Sequence, residues 1–319
     1  MSTPSAIPRE YRKYEKSVIV SVVNYRTIWG DKAANLAKIM QTVTFAAARH
    51  GSKIIAFPEM ALTGYECRED VRIKNRPCSM HRKAAEPIPG PSTRCLAGLA
   101  NQLGVYIIFG MPELDEADGG IYNAAAVVGP EGVLGSYRKL HLSPITPWWT
   151  ERLCFKTGAE LPVFATRYGP IGVQICYDFW CFPELTRLLM LKGARIIFNC
   201  TAARTGPGLN ELMTWGTAYR GAESIVYTAS ANLVGVDRTQ SFCGQSNISG
   251  PNPPALVSVH AKGDEGEGIV TATLDFEKLH SYWKRGGPKQ HLRVDLVARE
   301  YSSLANTLPP RRISRSCSR

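Results

Sequence analysis

Short apolar runs recur along the chain, separated by stretches in which apolar residues return at helical spacing. Val18-Ile19-Val20 with Val22-Val23 reads as a buried strand, and residues 31–50 (DKAANLAKIMQTVTFAAARH) as a helix opened at Asp31 and closed by Gly51. Residues 53–57 form a second strand stopped by Pro58, and residues 93–103 a helix that leads through Gly104 into a strand at 105–109. Segments 123–128 and 133–141 read as strands joined by Gly129-Pro130-Glu131-Gly132, a hairpin and therefore an antiparallel pair. A strand at 171–175, a helix at 183–192, a strand at 195–199, a helix at 212–224 and a strand at 225–232 follow. Interleaving to about residue 280 predicts one α/β domain with a mixed sheet, sheet on sheet in the centre and helices outside. The expected layout is an N-terminal extension (1–16), one domain (17–280), a C-terminal extension of it (281–308) and a disordered arginine-rich tail (309–319).

Composition supports a folded protein with a large core, since 44% of the 319 residues are hydrophobic and 20% charged. No apolar run approaches the ~18 residues of a membrane span. Residues 1–16 are polar, contain proline and lack a signal-peptide hydrophobic region, so a cytoplasmic location is expected. The nine cysteines are odd in number and irregularly spaced, and without an export signal they are expected to be free thiols. Cys176 and Cys181 have no histidine near in sequence, which argues against structural zinc there. The net charge of +11 is concentrated in the tail, with its four arginines, and in residues 68–83, which read as a basic loop insertion. Neither segment has aromatic residues interleaved on a strand or helix, so a solvated surface is expected and nucleic-acid binding is not.

Three polar residues stand at the ends of apolar strands, where open α/β sheets place their ligands. Glu59 follows Ile54 to Phe57 and Pro58, Lys139 lies in Ser136-Tyr137-Arg138-Lys139-Leu140-His141, and Cys176 follows Gly172-Val173-Gln174-Ile175. Each is expected at an exposed rim on a strand anchored in the core. A thiol at a strand-to-helix turn can be presented to a pocket, with helix N-terminal amides nearby to favour thiolate and oxyanion. Taken singly, each residue is ordinary: a buried cysteine, a surface carboxylate, a surface ammonium.

Together they carry a family resemblance. Phe57-Pro58-Glu59-Met60-Ala61-Leu62-Thr63-Gly64-Tyr65 resembles the glutamate motif of the carbon–nitrogen hydrolases of the nitrilase superfamily, and Tyr137-Arg138-Lys139-Leu140-His141-Leu142 their lysine motif. Ile175-Cys176-Tyr177-Asp178 with Phe182-Pro183-Glu184 is similar to their cysteine motif. The three occur in the family's order, and the resemblance extends over roughly 17–279 through Lys192-Gly193-Ala194, Thr201-Ala202 and Ala231-Asn232-Leu233-Val234-Gly235. One departure is Phe179-Trp180-Cys181, where the family usually has two residues, so a bulge is expected after the cysteine.

The resemblance implies a four-layer α-β-β-α sandwich, no metal or organic cofactor, a homodimer or larger homo-oligomer, and hydrolysis of a small amide. It implies Cys176 as nucleophile, Glu59 as general base, and Lys139 with the Tyr177 amide as oxyanion stabiliser. Glu151 matches a second family glutamate that positions substrate and the catalytic lysine. Tyr65, Trp148, Trp149, Phe179, Trp180 and Asn199 are candidate pocket residues. An aromatic pocket without an arginine between Cys176 and Arg187 favours neutral or cationic carboxamides or N-carbamoyl amines over anionic ones. A nitrilase is the alternative, but its cysteine is usually followed by Trp-Glu rather than Tyr177-Asp178. A Cys-His hydrolase would need a histidine beside Cys176, and a non-catalytic nucleic-acid-binding protein would leave the three motifs unexplained. The sequences G-x-G-x-x-G, G-x-x-x-x-G-K-[ST] and G-x-S-x-G are absent.

Overall fold

The structure is a computed structural model that describes residues 7–67, 69–144, 151–251, 260–264, 266–305 and 307. The expected pocket residues Trp148 and Trp149, and the tail 309–319, lie outside these. Fourteen strands are present among the described residues: β1 (Ser17–Asn24), β2 (Ile54–Ala56), β3 (Tyr106–Leu114), β4 (Ile121–Gly129), β5 (Gly132–Arg138), β6 (Val163–Phe164), β7 (Ile171–Ile175), β8 (Ile196–Thr201), β9 (Tyr227–Asn232), β10 (Val234–Asp237), β11 (Gln240–Cys243), β12 (Asn247–Ser249), β13 (His260–Lys262) and β14 (Gly268–Asp275). They build two six-stranded sheets, ordered β14-β1-β2-β3-β4-β5 and β13-β12-β9-β8-β7-β6, with β10-β11 as a separate ribbon.

The two sheets share a plan. In the first, β1, β2 and β3 are parallel and the flanking strands antiparallel. In the second, β7, β8 and β9 are parallel and the flanks again antiparallel. Parallel strands need crossovers, and helices supply them, which is why the sequence alternates as it does. On β1 to β3, Val20, Val22, Ile54, Ala56, Tyr106 and Ile108 share one apolar cluster with Val173, Ile175, Phe198, Ala229 and Ala231 of the second sheet. The alternate residues Ile55, Ile107 and Phe109 join a second cluster with Ile39, Val43 and Leu96 of the helices Lys32–His50 and Pro91–Leu103. Strands buried on both faces explain the unbroken apolar runs, and the result is the α-β-β-α sandwich.

Local signals behave as expected at the first long helix. Asp31 accepts the Ala34 amide at 3.0 Å as N-cap, and Gly51 closes the helix at φ 67°. The segment expected as a loop insertion holds instead the helix Ser79–Ala84 and a π-helical turn, Glu69–Ile73. Its helical register was obscured by basic residues, because charge does not forbid a helix whose Met80, His81 and Ala84 are buried. The C-terminal segment adds the helices Phe276–Gly286 and Val294–Ala305, the first running through residue 280.

The expectation of free thiols is corrected by a Cys67–Cys78 disulfide, with the two Cα atoms 5.7 Å apart. Cys67 ends the loop after β2 and Cys78 precedes the helix Ser79–Ala84, so tertiary packing brings them together and a count of cysteines could not. Among the described residues, Cys95, Cys154, Cys176, Cys181, Cys200 and Cys243 are not in a disulfide.

Candidate functional site

Glu59 sits just beyond β2, where the chain keeps pairing with β3 after the strand ends. Phe57 donates to the Ile108 carbonyl at 2.8 Å, Gly110 to Pro58 at 3.0 Å and Leu62 to Gly110 at 3.1 Å. Gly110 is needed for this approach, since a Cβ there would lie 2.3 Å from the Met60 nitrogen and 2.6 Å from the Glu59 Cα. Lys139 follows β5 and is pinned on both sides of its peptide. Its N–H donates to Asn123 O and its carbonyl accepts from Gly158 N–H, both at 2.8 Å.

The two side chains meet. Lys139 Nζ is 2.7 Å from Glu59 Oε1 and 2.7 Å from Glu151 Oε1, and all three side chains are fully buried. The expectation that Glu59 and Lys139 stand exposed at a rim is therefore corrected. Burying an ion pair costs several kcal/mol per ion unless the remaining donors and acceptors are satisfied, and here most of them are. Asn123 Nδ2 donates to Glu59 Oε1 at 2.7 Å, Tyr65 OH to Glu151 Oε1 at 2.8 Å, and the Ser143 amide to Glu151 Oε2 at 2.8 Å. Glu59 Oε2 and Asn123 Oδ1 are the buried atoms of this cluster that have no hydrogen-bond partner among the described residues.

One ammonium between two carboxylates cannot neutralise both. Burial pushes the Glu59 carboxyl up to about 7, and the Glu151 charge adds to this while Lys139 opposes it. Burial works against a charged Lys139 too, but Glu151 and Glu59 outweigh it and hold the ammonium above its ordinary range. Lys139 therefore stays charged, and Glu59, buried and with one oxygen unpartnered, takes a proton near neutral pH.

Cys176 comes from the other sheet. It follows β7 at φ 46° and ψ −100°, a left-handed conformation costly for a residue with a Cβ, and it opens the short helix Tyr177–Cys181. Its amide donates to the Cys200 carbonyl at 3.0 Å and to Asn199 Oδ1 at 3.0 Å, while Asn199 Nδ2 donates to Ser230 Oγ at 3.0 Å. Burial pushes the thiol up to about 12, helped by the Glu59 charge and opposed by Lys139 and by hydrogen bonds from Thr201 and the Ala202 amide. Glu59 and Lys139 thus both act on the thiol across the gap between the sheets.

The residues after Cys176 do not bulge. Phe179, Trp180 and Cys181 complete the helical turn, and Arg220 caps it by donating to the Phe179 and Trp180 carbonyls, each at 3.0 Å. Phe179 is fully buried in the cluster between the sheets, which takes it out of the expected pocket wall. Asn199 is committed to the Cys176 backbone, and half-buried Trp180 donates to Thr201 Oγ1 at 3.3 Å. Tyr65 reaches Glu151 rather than a free cavity wall. Tyr177 lies edge-on to Phe182, their ring centres 5.3 Å apart.

Sequence reasoning missed two residues. Asn123, a polar interruption in the apolar strand β4, binds Glu59 and also lies 3.4 Å from Glu151 Oε1. Asp178 links the cysteine and lysine segments: it accepts Tyr137 OH at 2.6 Å, the Leu140 amide at 3.0 Å and the His141 amide at 2.9 Å. A lone polar residue inside a buried strand was the available signal for the first. The second stood in the cysteine motif, but nothing local showed that it would hold the lysine segment.

The sequence profile of the family described as carbon-nitrogen hydrolase matches residues 19–284. A nitrilase from Pyrococcus abyssi is 35% identical over 232 residues, 72% of this chain and 79% of its own length. The N-carbamoylputrescine amidase of Solanum lycopersicum is 30% identical over 298 residues, covering 88% of this chain and 95% of that protein. The crystal structure of Saccharomyces cerevisiae Nit3, a member of branch 10 of the nitrilase superfamily, superposes with a TM-score of 0.73 at 24% identity, over 88% of this chain and 98% of that one. The chain belongs to the carbon–nitrogen hydrolase family, in the nitrilase superfamily. It is an enzyme of the class that hydrolyses non-peptide carbon–nitrogen bonds.

Proposed function

We propose that the chain hydrolyses the C–N bond of a small neutral or cationic carboxamide or N-carbamoyl amine, with Cys176 as nucleophile, Glu59 as general base and Lys139 as charge stabiliser. The observation that carries this reading is the buried Glu59–Lys139–Glu151 cluster, which acts electrostatically on a thiol held on strained backbone. An amide carbon is a poor electrophile, so its hydrolysis needs an activated nucleophile, charge compensation at the carbonyl oxygen and a proton for the leaving nitrogen.

At rest the thiol is protonated, and Glu59 takes its proton as sulfur attacks the carbonyl carbon. Lys139 and the Tyr177 amide stabilise the oxyanion. Collapse of the tetrahedral adduct expels the amine or ammonia, which leaves with the proton held by Glu59. Glu59 then deprotonates water, water attacks the thioester or thiocarbamate, and the sulfur departs as thiol with that proton. Glu151, fixed by Tyr65 and Ser143, holds the Lys139 ammonium in place. A carboxylate near 7 suits this two-way proton traffic, because the best general base has a pKa near the working pH.

Two carboxylates against one ammonium leave the cluster with excess negative charge when both are ionised, which repels an anionic substrate and attracts a cationic one. The tomato relative is named for a cationic N-carbamoyl amine, N-carbamoylputrescine, which fits the same preference. The test is ammonia release from matched primary amides, N-carbamoyl amines, N-carbamoyl amino acids and nitriles. We expect the highest kcat/KM on neutral or cationic amides or N-carbamoyl amines. A highest value on nitriles or on N-carbamoyl amino acids overturns the substrate class.

A further inference from the structure

A cluster of soft donor atoms lies outside the Glu59–Lys139–Glu151 group. Cys67 and Cys78 are 4% and 2% exposed, His81 is fully buried, and the two sulfurs and one imidazole nitrogen lie within 4.8 Å of one another. His81 Nε2 is 2.9 Å from the Gly64 carbonyl oxygen, and Nδ1 is 3.3 Å from Cys67 Sγ. A carbonyl can only accept, so Nε2 carries the proton and Nδ1 turns a bare lone pair toward sulfur. A sulfur in a disulfide has no hydrogen to offer it. The arrangement is that of a metal-ligating histidine, whose second nitrogen donates to a backbone carbonyl that fixes the ring and its tautomer.

The surrounding chain supports the same reading. Cys78 and His81 bracket the first turn of the helix Ser79–Ala84, a three-residue offset that sets both on one face. Cys67 and Cys78 also line a cavity of about 530 Å³, whose charged lining mixes Glu66, Glu69 and Asp70 with Lys74, Arg76 and Arg238, so the two sulfurs are reached from an opening with room for water.

We propose that, once the disulfide is opened, Cys67, Cys78 and His81 Nδ1 bind one zinc-class divalent cation, with a cavity water as fourth ligand. This revises the expectation that the chain has no metal site. Opening the disulfide takes two electrons and two protons from a reductant such as a dithiol, which closes to its own disulfide. Metal binding then displaces the two thiol protons, giving two thiolate–metal bonds and one nitrogen–metal bond.

The test uses the full chain carrying Cys176→Ala, so that the Cys176 thiol cannot hold metal. The protein is reduced with a phosphine under anaerobic conditions, loaded with Zn(II) or Co(II), and freed of excess metal. We expect one metal per chain by elemental analysis and, with Co(II), thiolate-to-cobalt charge-transfer absorption together with the intense visible bands of a tetrahedral site. Adding Cys67→Ser, Cys78→Ser or His81→Ala should weaken binding at least ~10-fold, since losing a ligand costs no less than losing its supporting group. Where such a variant fails to fold, alkylation of the Cys176→Ala chain reads the same site: Zn(II) should shield Cys67 and Cys78 while exposed Cys95 reacts with or without metal. Substoichiometric metal in the reduced chain, a cobalt spectrum without thiolate charge transfer, equal alkylation of Cys67 and Cys78 with and without zinc, or loading unchanged by the substitutions overturns the proposal. Because the readouts are metal content, spectra and labelling, they do not depend on the hydrolytic mechanism.

Discussion

The two sheets are built to one plan but contribute opposite kinds of chemistry. The first sheet holds Glu59 and Lys139 in a closed polar cluster, fully buried and bound to Asn123, Tyr65 and Ser143 through Glu151. The second presents Cys176 held by backbone: a left-handed turn, one carbonyl and Asn199. Charge needs a preorganised cage to survive burial, whereas a neutral thiol needs only to be aimed. On the proposed mechanism, this division keeps the thiol protonated until Glu59 takes its proton.

The sharpest way to break this pairing is to remove the aimed group. Cys176→Ala should lower kcat by at least ~10⁴-fold, the scale for loss of a covalent nucleophile, with the melting temperature nearly unchanged because only one sulfur is removed. Turnover within tenfold of the parent would end the thiol mechanism.

Breaking the cage should cost less in rate and more in stability. Lys139→Ala and Glu59→Gln are each expected to lower kcat/KM at least ~10²-fold, and Lys139→Ala should also lower the melting temperature, because it leaves two buried carboxylates facing each other. The pH profile separates their roles. Glu59 must be ionised to accept the thiol proton, and its folded pKa is raised to about 7, so kcat/KM should fall as pH drops below that value. An acid limb that stays near pH 4 to 5, or that persists in Glu59→Gln, would remove Glu59 as the base.

The link between the two halves is Asp178, which belongs to the cysteine segment and holds the lysine segment. Asp178→Asn keeps the volume but replaces an all-acceptor group that receives two amides and the Tyr137 hydroxyl. It should destabilise the fold by about 1–3 kcal/mol and lower kcat through a misplaced Lys139. A normal melting temperature with a normal rate would show that the two halves are positioned independently. The smallest effect is expected for Tyr65→Phe, which deletes one of several bonds to Glu151 and should cost about 1 kcal/mol, or a rate loss within tenfold.

Much of the fold was legible because its strands are buried on both faces. Val18 to Val23 and Ile171 to Ile175 stand out as largely apolar runs, and Asp31, Gly51 and Gly104 punctuate the helices. The short strands β10 to β13 and the helix Ser79–Ala84 were not, since their segments carry weak periodicity and take their shape from what they pack against. Glu59, Lys139, Cys176 and Glu151 could be picked out from their motifs. That the first two are buried, that Asn123 completes their cage, and that Phe179 belongs to the core rather than a pocket depended on contacts between residues tens of positions apart.

The sequence alone therefore determined the layer order, the family and which residues are candidates for the site, because hydrophobic period and strand-end motifs are local properties of the chain. Tertiary structure alone decided the charge balance of Glu59, Lys139 and Glu151, the meeting of Cys67 with Cys78 and His81, and the clasp of Asp178 on the lysine segment. Desolvation and hydrogen bonding act over a few ångströms in space, and no spacing along the chain records which side chains folding will bring that close.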